Sequence, residues 1–118
     1  MTTVSRTPIA GPVDARTASL LALIDGDPIH ADDRRKVVEA IQQAARDHGG
    51  IVSPNHLRVL LTDRRGTSTV YPNVIGAVVR TLAARGVLTF DGWVVTTGSR
   101  SGNTGRPARR WRFNGGAA

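Results

Sequence analysis

The stretch ADDRRKVVEAIQQAARDHGG, residues 31–50, constrains this chain more than any other. Val37, Val38, Ile41, Ala44 and Ala45 recur at i, i+1, i+4, i+7 and i+8, so one stripe of a helix is apolar and has to be covered. Asp32 and Asp33 stand where a cap and the positive helix end favour anions, and Arg46 and His48 stand at the opposite end. Gly49 and Gly50 stop the helix. A second stripe follows in TVYPNVIGAVVRTLAARG, residues 69–86, where Val74, Ile75, Val78, Val79 and Leu82 share a face. Thr69 is a suitable cap, Pro72 is tolerated only in the first turn, and Gly86 is a left-handed stop. Two such stripes need covering elements from the rest of the chain.

The intervening and flanking segments supply these. In IVSPNHLRVLL, residues 51–61, Ile51 and Val52 suit a two-residue strand, and Ser53 followed by Pro54 is a helix-start signal. Leu57, Leu60 and Leu61 give that short helix a buried face, and TDRRGTS, residues 62–68, forms a polar turn. After residue 86 come VLTF, an Asp91–Gly92 turn and WVVTT, rich in β-branched and aromatic residues and therefore strand. Residues 98–108 form a long tip. In RRWRF, residues 109–113, Trp111 and Phe113 point one way and Arg110 and Arg112 the other. Trp93 and Trp111 are expected to be core residues rather than base-stacking platforms.

Ahead of the main unit, residues 1–13 read as a flexible arm. Residues 14–26 (DARTASLLALIDG) read as a short accessory helix with Leu20, Leu21, Leu23 and Ile24 on its apolar side, Asp14 or Thr17 as cap and Gly26 as its end. So short a helix packs on the main unit or on a second copy, which makes a homodimer seam the alternative. Residues 114–118 read as a disordered tail.

Charge is placed unevenly. Residues 1–50 carry six basic and seven acidic side chains, a net of −1, whereas residues 51–118 carry ten basic and two acidic, a net of +8. All the cations but Lys36 are arginines, whose planar fork matches phosphate and guanine, although GC-rich coding also enriches arginine. No apolar run reaches the about 18 residues of a membrane span. The N-terminus lacks the pattern of a signal peptide, and there is no cysteine for disulfides or thiolate metal sites. The expected compartment is the cytoplasm. His30 with Asp32 and Asp33 imitates a metal cluster, but capping accounts for the aspartates more simply. GSRSGNTG lacks the Gly-Lys-Ser/Thr of a phosphate loop, and no nucleophile–base set stands out, so no enzyme activity, cofactor or metal is expected.

The order helix, tiny strand, helix, turn, helix, strand, long tip, strand resembles the winged helix-turn-helix family over about residues 31–113. The resemblance rests on LAARGVLTF at the end of the third core helix and SGNTGRPARRWRF as wing and return strand. YPNVIGAVVRTLAARGVL is similar to small winged-helix proteins of phages and actinobacteria. It implies an α+β fold of three core helices and a β-hairpin wing, with residues 14–26 as an extra helix. It also implies double-stranded DNA as partner, and a transcriptional regulator or accessory DNA-binding factor as function. The third core helix would enter the major groove and the wing would touch backbone or minor groove.

Carried over by position, Thr69, Tyr71, Asn73, Ala77 and Arg80 face the groove, with Arg80 suited to guanine and Asn73 to adenine. Arg64 and Arg65 in the turn suit phosphates. Ser68 and Thr69, with the amides of the helix start, would take another. Arg100 and Arg106 lie on the wing, and Arg109, Arg110 and Arg112 would hold flanking phosphates. Several blander roles stand beside these. Tyr71 can cover the turn as a core residue, Arg109 can stack on Trp111, Arg80 can sit on an ordinary solvent face, and the wing can be a solvated hairpin tip. The competing function is a protein–protein adaptor meeting an acidic partner, which would need large apolar anchors exposed on the third core helix.

Overall fold

The computed structural model describes residues 15–24, 30–97 and 105–114. The expected arm, the tail from residue 115, Asp14, Gly26 and the wing residue Arg100 lie outside the described residues. The chain forms α1 (Ala15–Leu21), α2 (Ala31–Asp47), β1 (Ile51–Val52), α3 (Pro54–Leu60), α4 (Pro72–Ala84), β2 (Leu88–Val95) and β3 (Pro107–Phe113). Among the described residues this is an α+β fold of four helices and one antiparallel sheet in the order β1-β3-β2. None of the described helices is long and apolar enough to cross a membrane.

The stripe of α2 is the centre of the core. Val37, Val38, Ile41 and Ala44 are fully buried, and α2 packs against α1, α3, α4 and the sheet. From α4, Val74, Val78 and Leu82 complete the core, joined by Val52 of β1 and Leu88 of β2. The helix starts differ from the sequence expectation in their caps. His30 takes the N-cap position of α2 without a side-chain cap bond to the helix. Asp33 instead reaches across to α4, where its Oδ2 accepts the backbone N–H of Tyr71 at 2.8 Å. Asp32 is held by Arg35 at 2.6 Å and Lys36 at 3.4 Å. Tyr71, not Thr69, is the N-cap of α4, because Pro72 starts that helix at its first position. Ser53 does cap α3, accepting from His56 N–H.

The accessory helix packs on the molecule itself. Leu20 is buried, and Leu21, Leu23 and Ile24 are partly buried against the same core. Thr17 is no cap: it lies wholly buried, and Gln42 of α2 donates to its hydroxyl from Nε2 at 2.7 Å. The leucines of α1 thus pack within the molecule, the first of the two expected arrangements. On α3, Leu57 and Leu61 are buried, but Leu60 keeps 40 % of its surface exposed.

The sheet departs from expectation at Asp91–Gly92. No turn forms there, and β2 runs through as one strand, pairing Phe90 with Trp111 and Trp93 with Arg109. One extra residue on β2 is absorbed as a β-bulge, which Gly92 permits with its φ of 116°. A turn would have paired VLTF with WVVTT. The seven residues of β3 instead give both segments a partner, and the other edge of β3 still pairs with β1. The return strand therefore starts at Pro107, earlier than expected.

His48, the C-cap of α2, stacks on His56 of α3 with ring centroids 3.6 Å apart and planes within 5°. Burial, and then the neighbouring His48 charge, push His56 below its ordinary value of 6.5, against a backbone hydrogen bond with Ile51 that raises it. The unfolded chain therefore binds this proton more readily than the folded one. The contribution of His56 to stability is complete above its ordinary value and is lost as pH falls through the depressed folded value. Denaturant unfolding followed from about pH 7 to 5 should show this decline, and His56→Gln should flatten it. Asp32, lowered by Arg35, loses its contribution only in a more acidic window, below its ordinary 3.8. In the core, Ile41→Ala should cost about 2–5 kcal/mol in the same measurement, since the cavity lies at the crossing of the helices.

Candidate nucleic-acid interface

α4 presents one covered and one open side. Val74, Val78 and Leu82 are buried, whereas Asn73, Ala77, Arg80 and Ala84 are exposed, with Gly76 between. A Cβ at Gly76 would meet Nη1 of Arg80 at 3.2 Å, so the guanidinium lies back along the helix over the space that glycine leaves. Tyr71 is 59 % exposed and leans on His30, ring centroids 5.1 Å apart, so it is a surface residue at the helix start rather than a core residue. Among the described residues no carboxylate stands on the open side of α4.

The turn before α4 is built by Asp63. Its Oδ1 accepts the N–H groups of Arg65 and Thr67, each at 2.9 Å, and Gly66 adopts a φ of 82°. Arg64 and Arg65 are thereby held outward at the tip, exposed and without an ion pair to any described residue. The Ser68 and Thr69 hydroxyls and the amides of residues 69–71, expected to take a phosphate, are engaged within the protein. Thr69 N–H donates to Leu61 O, Val70 N–H to Ser68 Oγ and Tyr71 N–H to Asp33, and Pro72 has none. The two hydroxyls donate inward as well, Ser68 to Val70 O and Thr69 to Leu61 O. The turn spends these donors on its own closure.

On the hairpin the expected arginines divide. Arg110 turns back to Asp91, donating from Nη2 to its carbonyl at 2.8 Å, with Nε 3.3 Å from the carboxylate. Arg112 Nη2 lies 3.8 Å from the other carboxylate oxygen. Both are half neutralised by the one acid of the sheet, and phosphate would have to displace it. Arg106 and Arg109 are exposed and pair with no described carboxylate. Arg109 lies over Trp93, 6.0 Å from the ring centroid, and not over Trp111. Trp111 is partly buried on the core as expected, but Trp93 is 59 % exposed.

Two residues outside the sequence expectation hold the loop end of the hairpin ladder. Asn55 of α3 donates to Val95 O at 2.9 Å and accepts Thr97 N–H at 3.0 Å, acting as a one-residue strand partner. Arg58, one turn on, reaches Asn55 and Thr97 Oγ1. Across the hairpin, Thr96 N–H and hydroxyl both donate to Arg106 O at 2.9 Å. The partners of Asn55 are about forty positions away, and no local spacing signals them.

No protein-family model matches the chain, and neither a curated protein nor a solved structure matches it. The site stands on its own geometry.

Asn55→Ala should loosen the loop end of the hairpin while leaving the core folded. The expected outcome is faster hydrogen exchange at the Thr97 amide, with about 1 kcal/mol lost in global stability.

Proposed function

We propose that this chain is a sequence-specific double-stranded DNA-binding protein of winged helix-turn-helix type, a cytoplasmic transcriptional regulator or accessory DNA-binding factor of a phage or bacterium. The observation that carries this reading is the open side of α4. It is small and carries no acid, so a helix can approach a groove closely without repelling phosphates. α2, α3 and α4 would be the three core helices, and β2 with β3 the wing.

In this reading α4 lies in the major groove. Arg80 is the guanine reader and Asn73 the adenine reader, while Ala77 and Gly76 let the backbone come near. Arg64 and Arg65 grip the phosphates beside the groove, and Arg106 and Arg109 do so from the wing. The net +8 of residues 51–118 adds long-range attraction. An adaptor would need large apolar anchors on α4, and that helix exposes Asn, Ala and Arg instead.

Duplex binding should fall steeply with salt, by about 0.9 in the log–log slope for each phosphate contact. Arg80→Ala should relax base preference in a selection from random duplexes. Arg106→Ala should weaken all duplexes about equally and flatten the slope. Absence of duplex binding at low salt, or equal loss of preference in both variants, would overturn the assignment.

A further inference from the structure

The β2–β3 ladder places Leu88 opposite Phe113, Phe90 opposite Trp111, Trp93 opposite Arg109 and Val95 opposite Pro107. These pairs lie on one face of the sheet, the face that also carries buried Val52 beside Trp111. Followed outward, the face leaves the core. Leu88 is 2 % exposed, Phe90 48 %, Trp93 59 % and Val95 60 %. Without the bulge, position 92 would share the face of Phe90 and Trp93 would point to the other side. Gly92 is the residue that permits the shift, since its φ is 116° and a Cβ there would meet Arg110 Nη2 at 3.3 Å. The aromatic stripe is thus extended into solvent by a specific backbone device.

Its electrostatics are one-sided. Asp91, the single acid of the hairpin, lies on the opposite face with Arg110 and Arg112. The aromatic face has Arg109 over Trp93. Phe90 meets both Trp93 and Trp111 edge-on, at 72° and 82°, so the rings are not stacked on each other. The Asn55 clamp and the Thr96–Arg106 bonds hold the outer end of the hairpin ladder in place before any ligand arrives.

We propose that this face is a stacking platform for the unpaired bases of a single-stranded nucleic acid, with Trp93 and Phe90 taking base faces and Arg109 taking phosphate. Flat apolar rings beside guanidinium groups match a ligand that carries flat rings and anions at short spacing. A closed duplex offers the stripe no ring faces, because its bases are already stacked. An apolar protein surface would leave Arg109 without a partner. The proposal shares Arg109 with the duplex reading, which otherwise uses α4, the turn before it and Arg106, whereas Phe90 and Trp93 serve this proposal alone.

The test is titration of the full chain with a short oligothymidylate, followed by intrinsic fluorescence. Trp93 and Trp111 are the two tryptophans. Saturable quenching is expected in the wild type. Trp93→Ala should remove most of it and weaken binding about tenfold, measured by anisotropy of a labelled strand. Trp93→Phe should recover part of the affinity. Arg109→Ala should lower the salt slope by about 0.7. Trp93 is exposed, so an unchanged circular dichroism melt is expected for its variants. Unaltered oligothymidylate affinity in Trp93→Ala would overturn the proposal. So would a Trp93 response to anionic phosphatidylglycerol vesicles without one to the oligonucleotide, or Trp93-dependent self-association of the pure protein. Duplex titrations run in parallel keep the two readings apart. Single-strand binding without duplex binding removes only the duplex reading, and the converse removes only this one.

Discussion

Burial of the α2 stripe is the constraint on which the rest depends. Val37, Val38, Ile41 and Ala44 are completely covered, and every other helix and the sheet contribute to covering them. A chain with few aromatics has to build its core from branched aliphatic residues packed closely around one helix. α4 meets α2 with Val74, Val78 and Leu82, which leaves Asn73, Ala77 and Arg80 on the outside by helical geometry. The open side of α4 is therefore a consequence of core packing. The bond from Tyr71 N–H to Asp33 then fixes where α4 begins.

Polar groups near the candidate interface divide between those spent on structure and those left available. Ser68, Thr69 and the amides before α4 close the turn, Asp63 shapes it, and Asp91 restrains Arg110 and Arg112. Arg64, Arg65, Arg80, Arg106 and Arg109 keep their charge toward solvent. An interface made this way is positioned by short internal hydrogen bonds and charged by long flexible side chains. Under the proposed duplex reading, this division pairs a rigid scaffold with contacts that adapt to backbone phosphates.

Much of this was legible in the residues. The helical stripes predict α2 and α4, Ser53-Pro54 predicts the start of α3, Ile51-Val52 the tiny strand, and the alternation in RRWRF the facing of Trp111 and Phe113. Each of these signals is local, set by one period or one capping contact. The misreadings share a cause. Asp-Gly serves a hairpin turn and a bulge equally well, and only the strand that pairs with it decides between them. Trp93, expected in the core, does share the face of Leu88 and Trp111, but the strand carries it past the end of the core into solvent. Thr17 and Thr69 have the chemistry of caps, but their hydroxyls found partners in Gln42 and Leu61, 25 and 8 positions away.

The sequence by itself determined the periodic elements, their order and the cationic bias of residues 51–118, since these depend only on neighbours within a turn or two and on composition. Tertiary structure decided which of those cations remain unneutralised, that the leucines of α1 close onto the core, that Asn55 clamps the hairpin, and that Phe90 and Trp93 face water. Those outcomes turn on contacts between residues far apart in the chain and on strand register, where a single added residue reverses the side on which all that follow are displayed.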